Sequence, residues 1–351
     1  LPSILWWGRF DPDYSRNRIL RSLFVDLGWT LSDFHPRVTA LADWEAALHG
    51  LPRPDLVWVP CFRQRDVVAA SRWARKHGIP LILDPLISAY DKQVDEREKF
   101  KPDSLRARHL LRWERAVFRR ADWVIADTPA HADYFANTLG VPENKLAVVY
   151  VGAETARFHP EPRTTDTNAP LEVLFYGSFI PLQGPQVVVE AASLYHGPPV
   201  RWTLLGHGPL RKRCEEHARG LANVHFEDWL PYEALPGRIR QADILLGVFG
   251  TTPKAGRVIP NKVFQSLACG RAVVTRPADA YPDTLLASES SGLVWTPAGD
   301  AQALAARVAT LAETPGLLSR LERAATETSR CHFSESVVRH QLSAVLHAAS
   351  V

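Results

Sequence analysis

The chain has few cysteines. Four of them, Cys61, Cys214, Cys269 and Cys331, are scattered through 351 residues with no close pair. That excludes a disulfide framework and a paired-cysteine zinc site, and it suits a reducing compartment. No apolar run approaches the ~20 residues that a membrane-spanning helix needs. The opening Leu-Pro-Ser-Ile-Leu-Trp-Trp-Gly lacks the basic start and cleavage site of a signal peptide and reads as a short apolar strand, so a cytoplasmic location is expected. A dominant charge is also missing: 41 Lys and Arg stand against 38 Asp and Glu, a net +3, which gives no footing for a nucleic-acid partner. Methionine is absent from every position, and no physical reason for that follows from the rest of the composition.

What is present is ordinary for a water-soluble globular protein: 46% apolar and 23% charged residues, at a length that suits two domains. The charge is uneven. Between Arg63 and Arg120 there are fifteen Lys and Arg against eight Asp and Glu. Such a basic surface either faces anionic lipid or a phosphorylated acceptor, with peripheral contact at the inner face of a membrane, or consists of solvated helix faces.

Apolar strand patterns alternate with helical spacers. Residues 4–7, 56–60, 80–84, 121–128 and 146–150 read as strands, and 16–23, 66–77, 105–120 and 130–140 as helices, with Ser15 the candidate cap of the first. This is the pattern of a parallel sheet with crossovers, in which ligands sit at the carboxyl ends of strands. Gly8 and Arg16 lie where the first strand turns into its helix. Asp84 follows a buried strand; it either orients or deprotonates an acceptor hydroxyl, or caps the turn before Pro85. Thr128 reads as the cap of the helix after Pro129.

Residues 161–170 are proline-rich and polar, a linker between a first domain over 1–160 and a second over 171–335. A last helix over 336–351 is expected to pack back on the first domain. The second half restarts the alternation, with strands at 171–177, 200–206, 224–230 and 242–247. Within it, Arg257 to Thr275 forms a loop, a helix and a strand. Pro260 fits the first turn of the helix, and Gly270 ends it. Asn261 and Lys262 open it, where free N–H groups and the positive end of the helix dipole favour an anion. The stretch is either a phosphate-binding helix or a plain crossover helix with a solvated lysine.

Pro260-Asn261-Lys262, Leu267-Ala268-Cys269-Gly270 and the following Val-Val strand resemble the donor-site helix of retaining glycosyltransferases of the two-Rossmann (GT-B) type, sequence family 4. Val151-Gly152 to His159-Pro160, Gly206-His207-Gly208-Pro209-Leu210, and His225-Phe226 through Trp229-Leu230-Pro231-Tyr232 resemble further segments of that family, in the same order. The resemblance implies an α/β fold of two Rossmann-like domains facing each other across a cleft. It implies transfer of a sugar from a UDP-, GDP- or TDP-sugar to an acceptor hydroxyl, with retention and without an obligatory metal or other cofactor. The acceptor would be a carbohydrate, a lipid-linked molecule or a small molecule. The resemblance places Gly177, Ser178, Gln183, Gly206, His207, Gly208, Trp229, Leu230, Arg257, Asn261, Lys262, Val263 and Gln265 at the donor. Lys262 and Asp84 are the catalytic candidates, and Gly8, Arg16 and Asp84 the acceptor-side ones.

The chain departs from the family pattern at four positions. The Arg and Lys expected after Gly177 are Ser178 and Gln183, and the glutamates expected eight residues apart are Arg257 and Gln265. Arg257 and Lys262 would supply the charge instead. The alternative is a protein of the same fold that binds nucleotide-sugar and has lost catalysis. An epimerase fits the architecture but not the motifs.

Overall fold

The computed structural model describes residues 1–162, 169–288 and 291–349; most of the expected 161–170 linker lies outside the described residues. The chain forms two compact units, Leu1–Val151 with Glu335–Val351, and Gly152–Ser334.

The first unit runs β1 (Ser3–Trp7), α1 (Ser15–Asp26), β2 (Thr30–Phe34), α2 (Ala42–Leu48), β3 (Leu56–Val59), α3 (Val67–His77), β4 (Leu81–Leu83), α4 (Leu105–Phe118), β5 (Trp123–Ala126), α5 (Pro129–Asn137) and β6 (Leu146–Val148). Its sheet is parallel in the order β2-β1-β3-β4-β5-β6. The period-2 geometry of β1 sends its two tryptophans to opposite faces. Trp6 packs on Trp58 and Phe24 at 5.8 and 6.3 Å, whereas Trp7 meets Phe34 and Trp73 at 4.6 and 5.6 Å. Gly78 closes α3 in the left-handed conformation, as a C-terminal glycine does. The Thr128 hydroxyl accepts from the His131 amide at 3.1 Å with Pro129 opening α5, so the expected cap is formed. Ser15 is not a cap: it is the first residue of α1, and Tyr14 before it makes no side-chain cap bond.

The second unit runs β7 (Leu171–Tyr176), α6 (Pro185–Leu194), β8 (Val200–Leu205), α7 (Arg211–His217), β9 (Val224–Glu227), α8 (Leu235–Gln241), β10 (Ile244–Leu246), α9 (Asn261–Ala268), β11 (Val273–Thr275), α10 (Asp283–Leu286), β12 (Leu293–Trp295), α11 (Ala301–Glu313) and α12 (Leu317–Thr328). Its sheet is also parallel, in the order β12-β11-β10-β7-β8-β9. The strand expected over 224–230 stops at Glu227, which leaves Trp229 and Leu230 in the loop beyond it. A final helix, α13 (Glu335–Ala348), returns to the first unit. There the Gln341 side-chain oxygen accepts from the Tyr150 amide at 3.0 Å, and Arg339 pairs with Asp26 at 2.8 Å.

Candidate active site

In each sheet the chain runs outward in one direction, comes back, and continues in the other. Neighbouring strands whose connections leave in opposite directions open a crevice at their carboxyl ends, where open α/β sheets bind ligands. In the second unit that point lies between β7 and β10.

Lys262 occupies it. The residue is 4% exposed. Its ammonium donates to the Gly247 carbonyl, just past β10, at 3.2 Å, and sits 3.8 Å from the ring centroid of Phe175 in β7. Burial pushes its pKa well below the ordinary lysine value. The Tyr176 hydroxyl, at the end of β7, donates to the Lys262 carbonyl at 3.0 Å and to Gln265 Oε1 at 3.1 Å, which ties α9 to the strand it faces. Gln265 is itself buried, and Arg257 and Asn261 lie half-buried, before and at the helix start respectively. Val263 departs from the expected donor contact. Its side chain is fully buried in the core and its amide donates to the Pro260 carbonyl at 2.9 Å, so packing and the first helical turn use both. Gly270 ends α9 as expected: its amide and that of Arg271 reach back to Leu267 and Ser266 at 2.9 Å each, with Gly270 left-handed.

The turns after β7 and β8 come together beside this crevice. A Cβ on Gly206 would lie 2.1 Å from the Gly177 carbonyl oxygen, and one on Gly208 would lie 2.6 Å from the Phe179 nitrogen. Only glycine allows backbone this close. Gln183 lies over Gly177 with its side-chain oxygen buried and without a hydrogen-bond partner among the described residues. Ser178 is half-buried in the same turn. His207 is exposed and 3.2 Å from Asp228, and Trp229 is 46% exposed beyond them, with Leu230 half-buried.

Sequence reasoning missed Arg211. It donates to the carbonyls of Gly206 and Glu227, the latter at 2.9 Å, pairs with Asp228 at 2.9 Å, and lies near the rings of Phe179 and Phe226. It therefore fastens the Gly206–Gly208 turn to the end of β9. Its position immediately after Gly-x-Gly-Pro-Leu was the available signal.

In the first unit the corresponding crevice lies between β1 and β3. Gly8 has φ +126°, and a Cβ there would lie 3.0 Å from Asp66 Oδ2, which in turn accepts from Arg63 Nε at 2.6 Å. Arg16 and Asp84 are brought together as a fully buried, bidentate ion pair with contacts of 2.9 and 3.0 Å. Arg16 also donates to the carbonyls of Val149 and Tyr150 at 2.7 and 2.8 Å. Burial pushes the Asp84 carboxyl up and the Arg16 charge opposes it. With both oxygens engaged and no exposure, Asp84 is not placed as a free base, which corrects that part of the expectation. It holds Arg16, and Arg16 ties α1 to the end of the sheet.

His131 is a second residue that the sequence reading missed. It is fully buried on α5, with Nδ1 on Asp127 and Nε2 3.6 Å from Asp91. Burial alone would lower its pKa, but the two carboxylates outweigh that and raise it to about 9. The signal was the four-residue spacing from Asp127 across a proline-led helix start, which puts the two side chains on one face. Tyr14 and Cys61 line the same end of the sheet, and burial pushes both well above their ordinary values, so neither ionises readily. Cys61 donates to the Asn17 side-chain oxygen at 3.1 Å.

Two Rossmann-like units, the second with a buried lysine at its switch point and paired glycine turns beside it, define a GT-B architecture. Comparison with known proteins agrees. The family description "Glycosyl transferase 4-like domain" matches residues 13–152, and "Glycosyl transferases group 1" matches residues 170–314. The chain belongs to the family-4-like, group 1 glycosyltransferases. WcaL of Escherichia coli, a candidate colanic acid biosynthesis glycosyltransferase, is 27% identical over 240 residues, covering 66% of this chain and 58% of that one. The D-inositol 3-phosphate glycosyltransferase of Acidothermus cellulolyticus is 27% identical over 291 residues, covering 77% and 62%. The chain thus spans about 60% of the length of these two relatives. Among solved structures, Anabaena HepE in complex with UDP-glucose superposes with a TM-score of 0.72 at 16% identity, over 99% of both chains.

Proposed function

We propose that this glycosyltransferase moves a sugar from a nucleoside diphosphate-sugar to the hydroxyl of a carbohydrate, lipid-linked or small-molecule acceptor, with retention and without an obligatory metal. The observation that carries the reading is Lys262 at the β7/β10 crevice. The leaving group is a nucleoside diphosphate, so stabilising its developing charge is the main catalytic task. A desolvated ammonium with a single carbonyl partner gains most from a phosphate brought into contact. Arg257 adds charge on the approach to α9, and the Gly177 and Gly206 turns allow close backbone approach. Gln183 presents an unpartnered polar group over the same turn, and Gln265 takes the position where the family pattern has a carboxylate. Retention is supported by the family resemblance. A UDP-sugar is the first candidate donor, because HepE binds UDP-glucose. In the first unit, the Arg16–Asp84 pair acts as a positioning element for an acceptor near Gly8.

The test is a thermal-shift panel of UDP-, GDP- and TDP-sugars with and without EDTA, followed by turnover of any donor that binds. Saturating ligand raises apparent stability by about 2.7 kcal/mol at a hundred times its dissociation constant. A shift with one nucleotide series, unchanged by EDTA, is expected. No shift with any of them sinks the donor assignment.

A further inference from the structure

The loop on the donor side of the second unit carries a cation that a diphosphate does not need. From Gly247, just past β10, to Lys262 the chain holds Lys254, Arg257 and Lys262, and no Asp or Glu. Burial alone sets the pKa of Lys262, with no carboxylate to offset it. Arg276, just past β11, adds a further cation to the same edge of the sheet. β10 and β11 are neighbours, so their carboxyl-end turns lie side by side. The Arg276 amide donates to the Val248 carbonyl at 3.1 Å, and its Nη1 donates to the Gly250 carbonyl at 2.8 Å.

The rest of the Arg276 guanidinium is only partly engaged. Nε donates to the Pro277 carbonyl at 3.2 Å, and Nη2 has no hydrogen-bond or ion-pair partner among the described residues. A Cβ on Gly256 would lie 3.5 Å from Nη2, so this edge lies against the residue before Arg257. Arg276 is half-buried; burial pushes its pKa down, and the exposed Asp279 works against that. A half-buried guanidinium with an open edge suits a planar anion, because its fork of N–H groups matches a carboxylate.

The diphosphate of a nucleotide-sugar has one ionised oxygen on each phosphorus. Lys262, the start of α9 and the glycine turns answer those charges without Arg276. The sugar is bonded to the phosphate, so it lies among the side chains that flank Lys262. At one of them, Arg257, the sign is opposite to the glutamate of the family pattern. A carboxylate there would repel an acid group on the sugar, and an arginine attracts it.

We infer that the transferred sugar is acidic: a hexuronic acid whose carboxylate is held by Arg276, with Arg257 beside it. The inference rests on the donor reading above and names the sugar class.

The experiment is calorimetry on the full chain with UDP, UDP-glucose, UDP-glucuronate and UDP-galacturonate. UTP controls for added charge of another shape, and glucose 1-phosphate and glucuronate 1-phosphate repeat the comparison without a base. One uronate should bind at least about tenfold tighter than UDP-glucose, as one charge-assisted contact allows. Arg276→Gln should remove most of that preference while changing UDP binding far less, and Arg276→Lys should restore part of it. Arg257→Gln should narrow the preference too, which serves if Arg276→Gln fails to fold; the wild-type preference needs no variant. Equal binding of UDP-glucose and both uronates overturns the inference. So does a loss in Arg276→Gln that is the same for UDP as for the uronate, which assigns the arginine to the diphosphate. UTP that binds as tightly as the uronate, with the same sensitivity to Arg276→Gln, assigns it to a further phosphate instead. UDP binding in the same titrations tells a failed donor site from a failed sugar assignment. Should UDP not bind, the two sugar 1-phosphates decide the sugar by themselves.

Discussion

Replacing Lys262 with methionine sets two effects of one ammonium against each other. In the donor-free protein the charge is buried, with one carbonyl at 3.2 Å and an aromatic face at 3.8 Å. Its folded pKa is depressed by burial, so the unfolded chain binds the proton more tightly than the folded one. Stability is therefore lost as pH falls below the unfolded value of 10.5, down to the folded pKa, and at neutral pH that loss is present. Methionine removes the charge and keeps the bulk. The free enzyme should gain on the order of 1 kcal/mol, about 2–4 °C in Tm for a domain of this size. The donor should bind worse, since a charge-assisted contact to phosphate is worth about 1.5–3 kcal/mol, or roughly ten- to a hundredfold in Kd. Thermal unfolding without ligand and calorimetric titration with UDP read the two effects on one sample. A variant that is less stable and binds UDP as before would refute the reasoning on both counts.

Three further outcomes follow from the geometry. Gly206→Ala puts a methyl 2.1 Å from the Gly177 oxygen at a φ of +128°, so UDP binding should be lost and Tm should fall by several degrees, as thermal-shift measurements with and without UDP will show. Asp84→Leu leaves Arg16 buried and unpaired and should cost about 3–5 kcal/mol, whereas adding Arg16→Met should recover much of that loss; urea denaturation of the two single variants and the double one measures the coupling. His131 has a folded pKa of about 9 against 6.5 unfolded, so its contribution is fully present below pH 6.5 and lost as pH rises through about 9. The urea midpoint of wild type should fall over that window relative to His131→Asn, and parallel pH profiles would remove the assignment.

The buried strands and the switch-point lysine were legible because their signals are local. Leu56–Val59 and Leu171–Tyr176 are apolar runs bounded by turns, and Pro260, Lys262 and Gly270 mark a helix with a start and a stop. β2 was not legible, because it is an edge strand whose Thr-Leu-Ser-Asp-Phe buries only Phe34, so neither alternation nor an apolar run announces it. Arg16 and Asp84 are each legible singly as acceptor-side candidates; that two residues 68 positions apart neutralise each other is a fact of topology. His131 and Arg211 act through neighbours that fold into place around them, His131 on Asp91 forty residues earlier and Arg211 on the loop after β9.

The return of α13 to the first unit has a consequence for how the protein is made. Residues 1–151 of the first unit are synthesised before the second unit, yet the Tyr150 amide finds Gln341, and Asp26 finds Arg339, only after the whole second unit has been translated. The first unit of the nascent chain therefore lacks its last helix while its neighbour folds. A chain cut before Glu335 should leave the older domain, and not the newer one, as the aggregation-prone partner.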